Sequence, residues 1–190
     1  MIELACSTSP EWTATVVADF DCFLIDHAAA EKKAAGMAMS MLSHYPDRPE
    51  LVAAMADLAV EETNHFRDVL RLMRRRGLQP GADERDPYVN QLRRCMRAES
   101  DAYLMDRLLV GGIIEARGCE RFSLLGEALA DPALQRFYRG LGQSEARHAD
   151  MFVELATHYF PEAAVQQRLR ILIAEEARIL RALPLRAALH

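Results

Sequence analysis

LVAAMADLAVEETNHFRDVLRL, residues 51–72, spaces Leu51, Met55, Leu58, Glu62, His65, Val69 and Leu72 alternately four and three apart. Residues at those spacings share one face of an α-helix. The face is apolar except at its middle, where Glu62 and His65 stand one turn apart. A helix that buries this stripe also buries a carboxylate and an imidazole. That is expensive unless something nearby compensates their polarity.

The pattern recurs. Leu134, Tyr138, Leu141, Glu145, His148, Phe152 and Leu155 form a second stripe with the same central Glu-x-x-His. Two further stripes carry a single central carboxylate. One is Phe20, Leu24, His27, Glu31, Ala34, Ala38 and Met41, and the other is Leu104, Leu108, Gly111, Glu115, Cys119 and Phe122. Glu31 precedes Glu62 by 31 residues and Glu115 precedes Glu145 by 30, while the two Glu-x-x-His motifs lie 83 apart. The chain therefore reads as two helix pairs, each offering one Glu and one Glu-x-x-His. Their flanking sequences differ, so the repeat is one of pattern.

Four carboxylates at matching depth need a shared counter-charge, which cations in the middle of a bundle would supply. Four carboxylates and two imidazoles suit two divalent ions, iron or manganese. Glu31, Glu62, His65, Glu115, Glu145 and His148 are the candidate ligands. A lone Glu-x-x-His would be weak evidence; two copies, each following a seam Glu, are much stronger. Glu61 and Glu120 fall off the seams and read as solvated or paired with arginine. His27, one turn before Glu31, is either a partner of that carboxylate or a core histidine. Asp26 and Asp106 are candidates for orienting the ligand histidines, with a surface role as the alternative. Gly111-Gly112, one turn before Glu115, either leaves room beside the metals or permits close helix packing.

Organisation along the chain agrees with an all-α, ferritin-like four-helix bundle. Ser9-Pro10 opens a short N-terminal helix to about Ala18. Long helices are expected over 19–45, from the turn at 46–49 to Arg76, from Ser100 or Asp101 to Ala130, and from Asp131-Pro132 to Tyr159. A short helix over 87–97 lies in the long crossover between the second and third. Pro161 begins a C-terminal fifth long helix to about Leu183. A single domain, 1–190, is expected.

Bulk properties fit. The chain of 190 residues is 51% hydrophobic and 27% charged, with net charge −5. No apolar run is long enough to span a bilayer. Residues 1–10 lack the basic flank and apolar core of a signal peptide, so a cytoplasmic protein is expected. Cys6, Cys22, Cys95 and Cys119 form no Cys-x-x-Cys pair, which argues against a zinc ribbon or a rubredoxin-type centre. Charge is uneven: between Arg71 and Arg97 stand eight arginines against three acids. Arg71, Arg74, Arg75 and Arg76 suit a helix C-terminus, where cations oppose the dipole. Together with Arg93, Arg94 and Arg97 they are also candidates for phosphate contact.

Several stretches resemble the MiaE family of tRNA 2-methylthio-N6-isopentenyladenosine hydroxylases. They are FLIDHAAAEKKAAGMAMSMLSHYPDRPELV (23–52), DLAVEETNHFRDVLRLMRRRG (57–77), DPYVNQLRR (86–94), DRLLVGGIIEARGCERF (106–122) and SEARHADMF (144–152). The resemblance implies a di-iron monooxygenase acting on tRNA, with dioxygen as co-substrate and electrons from a separate electron-transfer protein. It maps the family's ligands onto the same six residues and supports the arginine set as a tRNA surface, where Tyr88 could either stack on a base or serve in packing. Arg117 and Arg121 could instead pair with Glu120 or nearby aspartates. A monomer or small homo-oligomer and no membrane association are expected. The competing readings are a peroxidase-type di-metal protein and an iron-binding or storage protein.

Overall fold

The computed structural model describes residues 2–190. Its elements are α1 (Pro10–Ala18), α2 (Phe20–His44), α3 (Pro49–Arg75), α4 (Pro87–Arg94), α5 (Ser100–Ala128), α6 (Pro132–Tyr159) and α7 (Glu162–Ala182). Among the described residues there is no strand. This is the all-α, ferritin-like class, with two pairs of long helices and α4 in the crossover between them. No helix is long and apolar enough to cross a membrane.

Local chemistry sets the helix ends. Asp19, Asp86 and Asp131 act as N-caps, their carboxylates accepting the N–H groups of Cys22, Val89 and Ala133. Proline occupies the first turn of α3, α4 and α6, where no backbone N–H is required. Gly77, at φ 72°, lets the chain turn away after α3. The crossover helix stops at Arg94, short of the 97 expected, because Arg97 turns its backbone N–H and guanidinium onto Asp106.

The chain divides into two compact units. One comprises Ala14–Glu84 and Arg186–Leu189. Within it α2 and α3 are joined by a short turn and run antiparallel, with Phe23, Leu24, Met41, Leu51, Met55 and Val69 fully buried. The C-terminal stretch is fastened to this unit by the Leu189 N–H, which donates to Asp26 at 2.7 Å.

The other unit comprises the segment up to Thr13, Arg85–Leu185 and His190. Its α5 and α6 form the second antiparallel pair, and α4 and α7 pack with them. Arg117 of α5, fully buried, ties this unit together. Its guanidinium donates to both carboxylate oxygens of Glu176 in α7 at 2.9 and 3.0 Å, to the Cys6 carbonyl at 2.9 Å, and to Glu120. Tyr88 of α4 donates its hydroxyl to the same Glu176 at 2.9 Å. Tyr88 is fully buried and stacks on His190, which is the packing role rather than a platform for a nucleic-acid base. Arg117 does pair with Glu120, as the sequence suggested; it also holds Glu176, 59 residues away in the chain. Arg121 lies 4.7 Å over the Trp12 ring, and burial pushes its pKa down to about 10.

Candidate metal centre

Each unit carries one triad of the candidate donors. In the α2–α3 unit, Glu31 and Glu62 are buried and His65 is half-buried. The Nδ1 of His65 lies 3.7 Å from Glu31 Oε2 and 3.6 Å from Glu62 Oε2. The Glu62–His65 step of three residues puts both on one face of α3, and the antiparallel turn brings Glu31 of α2 to the same level. Burial alone would lower the His65 pKa, but the two carboxylates outweigh it and push it up to about 9. Two carboxylates and one imidazole gathered in a largely buried space offer a cation a hard O/N donor set.

The α5–α6 unit repeats the arrangement. Glu115, Glu145 and His148 are all buried. His148 Nδ1 lies 3.3 Å from Glu145 Oε2 and 3.9 Å from Glu115 Oε2. The pattern repeat in the sequence thus corresponds to a repeat in geometry: one imidazole nitrogen set between a carboxylate of its own helix and one from the antiparallel neighbour. Hard carboxylate oxygens with one imidazole suit iron or manganese in either half, and no thiolate is present to favour a softer ion.

The two halves differ one turn before the lone Glu. In α2 that position is His27, fully buried, whose Nε2 sits 2.6 Å from Glu31 Oε1. His27 is therefore a partner of the Glu31 carboxylate, one of the two roles the sequence left open. In α5 the matching position is Gly111. A Cβ there would lie 2.9 Å from two atoms of the Phe152 ring, and one on Gly112 would lie 3.2 Å from Phe152 Cβ and 3.3 Å from the Ala149 carbonyl. The glycines serve close packing of α5 on α6. The aromatic ring fills the space that the alternative reading reserved for substrate.

The other sequence candidates are placed elsewhere. Asp106 accepts from Arg97 and Arg168, and Asp26 accepts from the Leu189 N–H. Neither orients a ligand histidine, because each is already occupied in joining segments distant in sequence. Glu120, off the seam as expected, binds Arg117 and the Thr8 hydroxyl. Among the arginines, Arg71 pairs with Asp68, Arg76 with Asp21, and Arg97 with Asp106. Arg74 and Arg75 are exposed at the end of α3, and Arg93 and Arg94 at the end of α4. Sequence reasoning missed the Arg117–Glu176–Tyr88 cluster. Only the odd placement of Glu176 among apolar residues of α7 could have signalled it.

Comparison with known proteins adds to this geometry. Residues 2–190 match the family described as tRNA-(MS[2]IO[6]A)-hydroxylase (MiaE). A Pseudomonas putida protein named tRNA 2-(methylsulfanyl)-N(6)-isopentenyladenosine(37) hydroxylase is 41% identical over 177 residues, covering 93% of this chain and 86% of that one. A Salmonella typhimurium protein of the same name is 34% identical over 131 residues, 69% of this chain and 48% of that one. Among solved structures, protein 43 from Synechococcus, described as having aldehyde deformylating oxygenase activity, is 36% identical. It superposes with a TM-score of 0.95, covering 100% of this chain and 96% of that chain.

Proposed function

This chain belongs to the MiaE family of tRNA hydroxylases, and from that premise we propose how it works and with which residues. It hydroxylates the isopentenyl group of 2-methylthio-N6-isopentenyladenosine beside the anticodon of tRNA. Glu31, Glu62, His65, Glu115, Glu145 and His148 would hold two iron ions, and residues 1–190 are one domain. The observation that carries this reading is the pair of equivalent triads. Four carboxylates carry four negative charges, which two divalent ions balance, and the two imidazoles complete a hard O/N donor set. The ferrous pair, when bound, supplies the electrons to split dioxygen; one oxygen atom enters a C–H bond and the other leaves as water, with two electrons and two protons drawn from outside. An external electron-transfer protein is the source of those electrons. The relative of known structure, described as an oxygenase, supports dioxygen chemistry on this fold.

The protein's own residues have defined tasks. The carboxylates and imidazoles hold the ions in a space from which most water is excluded, which strengthens every charge interaction there. His27 fixes the orientation of Glu31 and so limits which oxygen of that carboxylate is available to an ion. Phe152, packed against Gly111, adds an apolar ring to the α5–α6 pair. The apolar isopentenyl tail matches such an environment better than a charged or strongly polar substrate would.

The test is direct. Protein loaded with ferrous iron, with its metal content measured, is given reductant, dioxygen and isopentenylated tRNA. The tRNA is digested and the modified adenosine is weighed by mass spectrometry. One added oxygen with the native protein, and none with Glu115→Ala, is the expected result. Failure to add oxygen despite about two bound irons per chain would favour a peroxidase-type or storage role instead, and failure to bind metal at all would end the reading.

A further inference from the structure

Several exposed arginines of this protein have an acid beside them: Arg71 has Asp68, Arg76 has Asp21, and Arg178 has Glu175. Arg85, Arg93 and Arg94 do not; among the described residues they form no ion pair. These three arginines line one concavity of about 430 Å³, together with Asn90, Met96 and Tyr103. All belong to the same unit. Arginines 93 and 94 end α4, where the helix dipole accounts for a cation but not for convergence on a hollow. Arg85 precedes α4 and has no helix end to serve.

We propose that this hollow is a nucleotide-binding pocket for the anticodon loop, gripping a backbone phosphate and stacking one base a few nucleotides from the one being hydroxylated. Three forked guanidiniums match phosphate oxygens. Tyr103 is half-buried and already carries the Arg107 guanidinium 5.8 Å from its ring centre, so it presents an aromatic surface in a cationic setting, a common platform for an unstacked base. Asn90 adds an amide able both to donate to and accept from a base edge. Protein recognition of RNA sequence falls on such splayed loop nucleotides rather than on paired stems. An acidic peptide would use the cations but has no need of the aromatic face or the amide.

Spacing supports the division of labour. Tyr103 and Glu115 lie on the same helix, twelve residues apart, or about 18 Å along its axis. A few nucleotides of loop span that distance. The target base can then reach the metal ligands while a base a few nucleotides away is held in the hollow, in the way that phosphate contacts set register and the flipped base receives the chemistry. Arg71, Arg76 and Arg97, which hold acidic partners, are not part of this pocket.

This inference rests on the tRNA hydroxylase reading, and the experiment separates the two. Arg85→Gln/Arg93→Gln/Arg94→Gln, Tyr103→Leu and a control, Arg178→Gln, are compared with the native iron-loaded protein. Two quantities are measured: affinity for an isopentenylated anticodon stem-loop across a salt series, and hydroxylation of the free modified nucleoside. The triple variant should bind the stem-loop about tenfold to a hundredfold more weakly, with a salt slope shallower by about two. Tyr103→Leu should weaken binding and leave the salt slope unchanged. Nucleoside hydroxylation should stay at the native level in all of them, and Arg178→Gln should behave as native. Polyglutamate at equal charge should compete poorly with the RNA. A native protein that binds and hydroxylates the stem-loop alongside a triple variant that binds it equally tightly overturns the pocket alone. Strong competition by polyglutamate also overturns it, in favour of an acidic peptide. A native protein that binds no stem-loop overturns both readings. Should the triple variant fail to fold, Arg94→Gln and Tyr103→Leu individually carry the same comparison.

Discussion

Replacing Arg117 with Met tests what holds α4, α5, α7 and the N-terminal segment together. The guanidinium is fully buried, and its loss strips Glu176 of two charge-assisted hydrogen bonds at 2.9 and 3.0 Å while leaving that carboxylate fully buried too. Only the Tyr88 hydroxyl remains on Glu176. Breaking a buried pair by removing one member costs about 3–5 kcal/mol, most of it the stranded charge rather than the lost attraction. The substitution also frees the Cys6 carbonyl and part of Glu120, which places the expectation at the upper end. For a chain of this length such a loss lowers the melting temperature by roughly 10 °C or more. Denaturant unfolding of the metal-free protein at fixed pH measures it without interference from ligand binding. The double variant Arg117→Met/Glu176→Gln should recover part of the loss, because it removes the stranded charge while keeping the side-chain volume. A single substitution costing under about 1 kcal/mol, or a double variant no more stable than the single, would refute the claim that this ion pair organises the unit.

Three further outcomes are expected. Gly111→Ala should destabilise by about 1–3 kcal/mol, because its Cβ would stand 2.9 Å from the Phe152 ring; Phe152→Leu in the same background should relieve part of it, as read by thermal unfolding. His27→Ala should weaken metal binding about tenfold to a hundredfold, measured by metal titration, whereas Glu31→Ala should abolish binding in that half. Asp86 is partly buried; burial alone would raise its pKa, but His190 and the Val89 N–H outweigh this and hold it at about 2. Its stabilising contribution is therefore present above about pH 4, where the unfolded chain is ionised, and is lost as pH falls through about 2. Asp86→Asn should cost roughly 2 kcal/mol near neutrality and nothing by about pH 2, so its acid-unfolding curve should converge with that of the native protein.

The His27–Gly111 difference gives Glu31 and Glu115 unequal surroundings. One lone Glu is held by an imidazole from the preceding turn; the other stands beside a glycine whose missing side chain admits an aromatic ring. Two ions in such settings would not be equivalent in their carboxylate geometry or their access to water. This follows from the residues at 27 and 111, which the 84-residue offset of the repeat brings into register.

Much was legible in the chain itself. The stripes through Glu31, Glu62, Glu115 and Glu145 specified four long helices because a helix repeats every 3.6 residues and marks its buried face in the local sequence. The Glu-x-x-His spacing specified which two donors share a face, and Pro10, Pro49, Pro87 and Pro132 with their neighbours marked where helices begin. These are properties of segments a few turns long. What only the tertiary structure decided are relations between residues far apart in the chain. Asp26 and Asp106, plausible partners for histidines by position, are occupied by Leu189 and by Arg97 and Arg168. Glu176 meets Arg117 across 59 residues, and Gly111 meets Phe152 rather than open space. Tyr88 is buried by α7, while the hollow between Arg85, Arg94 and Tyr103 needs α4 to lie beside the start of α5. Periodicity states which face of a helix is buried. It does not state which side chain arrives to cover it, because that depends on volumes and charges brought together only when the chain has closed on itself.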